Sequence, residues 1–377
     1  MIPLSKPEFG DAEARAVADV LKSGWVVQGP KVEEFESLVA ARVGAAHGVA
    51  TTSCTTALHL ALVASGIRPG DEVICPSYSF IATANSVMYT GATPVFAEIE
   101  ADTWNIDPAD VARRVTSKTR AILAVHQVGL AADLDRLKDA APKGVPVIED
   151  AACAIGSLYK GRPVGSSGNV SCLSFHPRKT ISLGEGGMVL TDDAGLADHV
   201  RRLRSHGASV SDLDRHGAQG LVYEEYRELG YNYRMTDIQA AIGIEQLTRL
   251  DDLLARRRAV AGRYNTAFCK VEQIQTPAEP AYATHSYQSY AIRLRPDRRD
   301  IRARRDDLMR ELVGAGIACR RGIPPIHLEP LYRDRGLVSL PVTEAVAADS
   351  IFLPMYASLP EPDQALVVET VIRLVTR

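Results

Sequence analysis

The chain has 377 residues, 46% hydrophobic and 24% charged, which is ordinary globular usage with room for a large domain and a smaller one. Its formal net charge is −3, so it lacks the basic footprint that nucleic acid demands. No apolar run reaches the ~18 residues of a membrane span and no charged-then-apolar leader opens the chain, so the expectation is a cytoplasmic protein without membrane or nucleic-acid partners.

In chain order, residues 11–22 carry a helical pattern stopped by Ser23-Gly24. Val32, Phe35, Leu38 and Val39 give a second helix its apolar face, with Gly44 as the stop. Ser53 is placed to cap a third helix over 55–65, closed by Gly66. Short apolar runs then recur at 72–75, 94–97, 121–125, 145–148, 170–175 and 187–190, several separated by helical stretches such as 134–141. Their hydrophobicity is continuous rather than alternating. That pattern predicts strands buried on both faces, hence a mostly parallel sheet covered by helices.

From Thr236 the pattern changes. Thr236-Asp-Ile-Gln239 matches a capping box, and Ile238, Ala241, Ile242, Leu247, Leu250 and Leu254 continue at helical spacing, which predicts one long connecting helix. Beyond it come a strand over 287–294, a charged helix over 299–313 and a terminal helix over 362–375.

The six cysteines, Cys54, Cys75, Cys153, Cys172, Cys269 and Cys319, form no Cys-x-x-Cys pair and have no zinc-like spacing with histidine. Most read as small buried apolar residues, and no metal is expected. The chain also lacks a Gly-x-Gly-x-x-Gly after its first strand, a Walker phosphate loop, a His-Glu-x-x-His and a Gly-x-Ser-x-Gly. Nicotinamide, nucleotide-hydrolysis, zinc-protease and serine-hydrolase chemistries therefore have no support.

Only nine lysines occur among 43 basic residues, which shortens the search for a reactive amine. Lys179 follows an apolar strand in Ser174-Phe-His-Pro-Arg-Lys179 and precedes Gly184-Glu-Gly-Gly187. It thus falls at a strand's C-terminal edge, where open α/β sheets place ligands. A nucleophilic role needs a lowered pKa, which partial burial beside other cations would provide. Taken alone, a solvated loop lysine is the plainer reading. Asp150 ends another strand, in Val147-Ile-Glu-Asp150; it can pair with a pyridinium nitrogen or simply cap a helix.

Ser53-Cys-Thr-Thr56 opens a helix whose N–H groups and hydroxyls suit a phosphate as well as plain N-capping. Phe80, in Pro76-Ser-Tyr-Ser-Phe80, can stack on a planar ring or belong to the core. Together these supply a phosphate seat, a ring stacker, a pyridinium partner and an amine, the set that pyridoxal 5'-phosphate requires.

The same residues resemble the DegT/DnrJ/EryC1/StrS family of sugar aminotransferases. The resemblance runs through Gly24-Trp-Val-Val-Gln-Gly29, Ser53-Cys-Thr-Thr-Ala-Leu-His-Leu60, Pro69-Gly-Asp-Glu-Val73, Thr83-Ala-Asn85, Gly91-Ala-Thr-Pro94 and Glu149-Asp-Ala-Ala152. It continues through Ser174-Phe-His-Pro-Arg-Lys179, Gly184-Glu-Gly-Gly187, Gly230-Tyr-Asn-Tyr-Arg-Met235, Pro324-Pro-Ile-His327 and Leu353-Pro-Met355.

It implies an α/β fold of fold-type I, like aspartate aminotransferase. A mostly parallel large cofactor-binding domain over 1–250 would be joined to a small α/β C-terminal domain over 251–377. It further implies a homodimer with shared active sites. Lys179 would hold pyridoxal 5'-phosphate as a Schiff base and move the substrate α-proton, with Asp150 on the ring nitrogen and Phe80 over the ring. Thr55, Thr56 and Ser174 would hold the phosphate with Asn232 from the partner. The implied reaction takes an amino group from glutamate to a nucleotide-linked keto sugar, a 4-keto-6-deoxyhexose or a 3-keto acceptor. The alternatives are a cyclitol or aminobenzoate-type acceptor, and a cofactor-binding regulatory protein without turnover.

Two positions stand apart. Where the family usually has Gln or His beside the cofactor ring, this chain has Cys153, read as a packing residue with no lysine or arginine flanking it in sequence. A polar insert over 209–228 reads either as a substrate-facing loop or as a surface segment.

Overall fold

The structure is a computed structural model that describes residues 1–210, 223–295, 300–336 and 338–376. Its apolar runs assemble into a seven-stranded sheet. The strands are β1 (His47–Thr51), β2 (Glu72–Pro76), β3 (Thr93–Ala97), β4 (Thr119–Val125) and β5 (Val147–Asp150). After a small hairpin of β6 (Leu158–Tyr159) and β7 (Arg162–Pro163) come β8 (Val170–Ser174) and β9 (Gly187–Thr191). The spatial order is β1-β9-β8-β5-β4-β2-β3. β2, β3, β4, β5 and β8 pair in parallel, and only β9 runs against its neighbours β8 and β1. This is the expected mostly parallel sheet. Its central strands are apolar on both faces because helices cover both.

β1 is absent from the sequence reading. His47-Gly-Val-Ala-Thr51 is short and interrupted by Gly48, so its pattern is weak. Its full antiparallel register with β9, a contact far along the chain, makes it a strand.

Local chemistry explains the helix ends. α1 (Asp11–Ser23) stops at Gly24, whose φ of 76° is left-handed. α2 (Pro30–Val43) stops in the same way at Gly44. α3 (Cys54–Ala64) begins with a reciprocal cap: Thr56 N donates to Ser53 Oγ at 3.2 Å, and Ser53 N donates to Thr56 Oγ1 at 3.1 Å. α4 (Ala82–Tyr89) follows β2 through a loop carrying Phe80.

The box at Thr236 also forms, with Gln239 N donating to Thr236 Oγ1 at 3.2 Å. The single long helix does not. Asp237–Thr248 and Leu250–Phe268 are separate helices broken at Arg249 (φ −100°, ψ 3°). The Arg249 side chain there reaches the Glu8 carbonyl at 3.0 Å and the Glu13 carboxylate. Apolar spacing carried across the break because Leu247 before it and Leu250 and Leu254 after it pack into the same core cluster.

The C-terminal part carries a second, antiparallel sheet ordered β10-β12-β14-β13. Its strands are β10 (Ile274–Gln275), β12 (Tyr290–Leu294), β13 (Arg320–Arg321) and β14 (Ser350–Leu353), while β11 (Ala283–Thr284) pairs with β6. The strand expected from 287 starts only at Tyr290, because Tyr287 has a φ of 50° that no strand accommodates. The charged and terminal helices are Ile301–Gly314 and Glu361–Val375. With Leu250–Phe268 they bury Tyr264, Phe268, Leu308, Leu312, Val367 and Val371 against the small sheet. Each such side chain contributes about 1.5–3 kcal/mol on burial.

A separate seam of Tyr78, Ile99, Trp104, Val128, Ala291 and Phe352 packs the small sheet against the large one. Of the insert at 209–228, residues 211–222 lie outside the described residues; Ser209 N meets Glu225 O at 2.9 Å across its base. Among the described residues, no helix is long and apolar enough to cross a membrane.

Candidate active site

Four chain segments reach the C-terminal edge of the large sheet. β5 ends on Asp150, β8 ends on Ser174 and continues to Lys179, β2 leads to Phe80, and β1 leads to the first turn of α3.

Asp150 is buried. Its Oδ2 accepts from Thr83 Oγ1 at 2.8 Å and its Oδ1 from Ala152 N at 3.2 Å. Burial pushes its carboxyl above the usual value, against the pull of Thr83, Ala152 and Lys179. The preceding Glu149 faces the opposite side of β5 and shifts the other way. Burial raises it too, but bonds from His126 Nε2 and Asn169 Nδ2, both at 2.8 Å, and from Ser167 Oγ hold it below its ordinary value. Adjacent carboxyls with opposed shifts mark distinct roles: Glu149 fastens the strand, and Asp150 keeps a strained charge that an incoming cation would relieve.

Lys179 is half-buried, and its Nζ donates to Cys153 Sγ at 3.1 Å. Burial drives its ammonium down. Contact with Cys153 and the nearby Cys54 and Asp150 outweigh it, and the net direction is up. This corrects two expectations. The groups that set the Lys179 shift are sulfur and carboxylate rather than cations, and Cys153, which has no cation beside it in sequence, touches the lysine in space. Of the other cysteines, Cys54, Cys75 and Cys172 are buried, Cys319 is partly buried and Cys269 is exposed.

The loop bearing Lys179 is held from behind by Arg257, which is buried. Its guanidinium donates to Gln288 O at 3.1 Å and reaches Tyr287 O at 3.4 Å, with Met355 O and Lys179 O each at 3.5 Å. Burial with only distant Glu8 to offset it pushes the group down to about 10.

The first turn of α3 offers anion donors. Thr56 N is taken by Ser53 Oγ and Ala57 N by Ser53 O, while the N–H groups of Cys54 and Thr55 have no partner among the described residues. Gly187 is forced by the close approach of β9 to this turn: a Cβ there would lie 2.3 Å from Ser53 O. Ser174 is buried at the end of β8 nearby. Phe80 is 67% exposed despite its size, so the core reading does not hold. Asn232 is exposed, on a segment whose neighbour Tyr233 accepts at its carbonyl from Thr52 N at 2.9 Å. The edge therefore brings together Lys179, Asp150, Cys153, Ser174 and the Thr55-Thr56 turn. Thr83 and Arg257 were missed by sequence reasoning. Thr83 had a signal in Thr83-Ala-Asn85; Arg257, one arginine in a run of three, had none.

The donor set fits pyridoxal phosphate. Free N–H groups and hydroxyls at a helix start suit its phosphate, a buried carboxylate suits its ring nitrogen, and an amine suits its aldehyde.

Comparison with known proteins agrees. The pattern of the DegT/DnrJ/EryC1/StrS aminotransferase family matches residues 7–372. The spore coat polysaccharide biosynthesis protein SpsC of Bacillus subtilis (strain 168) is 40% identical over 375 residues, covering 98% of this chain and 96% of that one. The aminotransferase TlmJ from Streptoalloteichus hindustanus superposes with a TM-score of 0.91 at 33% identity, over 100% of this chain and 99% of that one. The sugar aminotransferase CalS13 from Micromonospora echinospora gives 0.89 at 30% identity, over 99% and 100%. The chain belongs to the DegT/DnrJ/EryC1/StrS aminotransferase family and is a pyridoxal-phosphate-dependent aminotransferase of fold-type I.

Proposed function

We propose that this enzyme transfers an amino group from glutamate to a keto sugar carried on a nucleotide, with a 4-keto-6-deoxyhexose as the first acceptor to test and a 3-keto sugar as the second. The observation that carries the reading is the meeting of Lys179 Nζ, Asp150 and the open first turn of α3 at one sheet edge. Similarity to proteins described as a sugar aminotransferase and as a polysaccharide biosynthesis protein supports a sugar acceptor.

When bound, pyridoxal phosphate supplies an aldehyde that receives the amino group and a ring that takes up the electron pair released at the substrate carbon. Lys179 would hold it through its Nζ, and the same amine, when free, would take the donor's α-proton and later return one on the acceptor side. Asp150 keeps the ring nitrogen protonated, and the bond from Thr83 fixes the carboxylate for that task. Thr55, Thr56, Ser174 and the α3 N–H groups hold the phosphate, with Asn232 of a second copy completing the seat in a homodimer. Phe80, an exposed aromatic at this edge, would stack on the ring and shield it from water. Residues 1–250 form the cofactor-binding domain in this reading, and 251–377 the smaller domain that closes on it. The enzyme works in the cytoplasm.

The test has two stages. Borohydride should fix the cofactor irreversibly on Lys179; an adduct mapped to another lysine sinks that role. The glutamate-loaded enzyme should then be reoxidised much faster by a nucleotide-linked 4-keto-6-deoxyhexose than by the free sugar. Equal rates remove the nucleotide from the reading and leave the aminotransferase.

A further inference from the structure

Arg178, Arg320 and Arg321 are exposed, and none takes part in an ion pair among the described residues. Their placement is specific. Arg320 pairs with Phe352, which pairs in turn with Ala291, so the β13–β14–β12 register sets Arg320 on the sheet face that packs on Tyr78. Arg321 pairs with Ile351 and faces the other side. Just beyond β13, Ile323 N reaches Tyr78 Oη at 3.4 Å, on the loop that carries Phe80. Arg178 immediately precedes Lys179, and its carbonyl accepts from Gln288 Nε2 at 2.6 Å, which ties the lysine loop to the segment entering β12. Arg178 therefore sits on the Lys179 loop where Gln288 ties it to the small sheet, and Arg320 sits on the face of that sheet turned towards Tyr78 and the Phe80 loop.

The cations feel one another. Burial, then the charges of Arg178 and Arg321, push the Arg320 guanidinium below its usual value, and no carboxylate opposes them. A protein of net charge −3 has carboxylates to spare, so stability alone does not call for an uncompensated arginine cluster beside its reactive lysine. Guanidinium forks bind carboxylate and phosphate oxygens two at a time, and an arriving anion relieves the repulsion between them.

We propose that Arg178 and Arg320 form a seat for an oxyanion of the substrate, a carboxylate of the amino donor or a phosphate of the nucleotide-linked acceptor. The choice of sources rests on the proposed glutamate and nucleotide-sugar reading; the seat does not.

The probes are glutarate, a dicarboxylate with no amine to react, and inorganic pyrophosphate. Binding of each to the holoenzyme is measured by calorimetry for the wild type, Arg178→Gln, Arg320→Gln and Arg320→Lys. Arg201→Gln, on an exposed helix surface and paired with Asp198, serves as control. At least one probe should bind the wild type, bind about tenfold or more weakly to both glutamine variants, and recover partly with Arg320→Lys. Weakening of glutarate identifies the donor carboxylate, weakening of pyrophosphate identifies the nucleotide phosphates, and weakening of both identifies a shared seat. The proposal is overturned if neither probe binds the wild type, if the glutamine variants change affinity less than about twofold, or if Arg201→Gln weakens binding as much. A wild type that binds glutarate through these arginines yet fails to react with glutamate refutes the donor reading and leaves the seat in place.

Discussion

Thr83 donates its hydroxyl to Asp150 Oδ2 at 2.8 Å, and Ser79 Oγ lies 2.7 Å from that same hydroxyl. All three groups are buried. The relay joins the loop bearing Phe80 to the end of β5, so Phe80 and Asp150, the proposed ring stacker and ring-nitrogen partner, are positioned by one network rather than independently.

The relay makes Asp150→Asn informative. In the cofactor-free protein the Asp150 carboxyl is raised above its ordinary value of 3.8, chiefly by burial. The native state then binds more protons than the unfolded chain between 3.8 and the raised value, so stability falls as pH rises through that window and stays lower above it. Asparagine removes this penalty without stranding its neighbours: its oxygen accepts from Ala152 N, and its amide donates to Thr83, whose hydroxyl turns to Ser79. Thermal unfolding at neutral pH should show cofactor-free Asp150→Asn melting above wild type, with the difference vanishing below pH 3.8, while transamination is lost. A variant melting lower at neutral pH contradicts the argument.

Arg257→Ala should destabilise the protein by about 3 kcal/mol or more, since it leaves a cavity and strips buried carbonyls of their donor. Those carbonyls belong to Lys179, Tyr287, Gln288 and Met355, so the loss also loosens the reactive loop. Differential scanning should show the midpoint several degrees lower. An unchanged midpoint would mean these long contacts hold nothing.

Much of this was legible in the sequence, for identifiable reasons. The parallel strands are short continuous apolar runs, a pattern that needs no tertiary information, and the caps at Ser53 and Thr236 are local hydrogen-bond chemistry. What escaped depends on contacts far along the chain. β1 exists through β9, the break at Arg249 is accompanied by bonds to Glu8 and Glu13, and the late start of β12 follows the backbone of Tyr287. Within the site, Asp150 and Lys179 announced themselves by standing at strand ends. The contact between Lys179 and Cys153 joins residues 26 apart through two different strand ends, and no spacing rule reveals it.

Asn232 tests the shared site. It is exposed, while the neighbouring Tyr233 carbonyl is tied to Thr52 next to α3, so its side chain is available to a second copy. Asn232→Ala should weaken cofactor binding by about 1.5–3 kcal/mol, the cost of one hydrogen bond to a charged group, and leave the fold intact. Equilibrium dialysis of the cofactor measures it. Sedimentation that finds a fully active monomer would refute sharing altogether.

Cys153 should govern how readily the cofactor-free protein captures pyridoxal phosphate. Burial favours the neutral Lys179 amine, and the Cys153 sulfur at 3.1 Å is the foremost opposing influence. Only the unprotonated amine attacks an aldehyde, so below the lysine's pKa the capture rate follows the neutral fraction. Cys153→Ala removes the leading influence that raises that pKa, which leaves burial less opposed and moves it down. At any fixed pH on the rising limb the variant should therefore capture cofactor faster, and its whole rate profile should shift towards lower pH. Cys153→Ser keeps a hydrogen-bonding atom against the amine and should fall between the two. The substitution trims one atom at a half-buried position, so folding should be nearly unaffected. Mixing cofactor-free protein with pyridoxal phosphate across a pH series, and following the yellow band as it forms, gives the profiles directly. If the Cys153→Ala profile stays in place or moves to higher pH, the thiol does not set the protonation of Lys179, and Cys153 returns to being a packing residue.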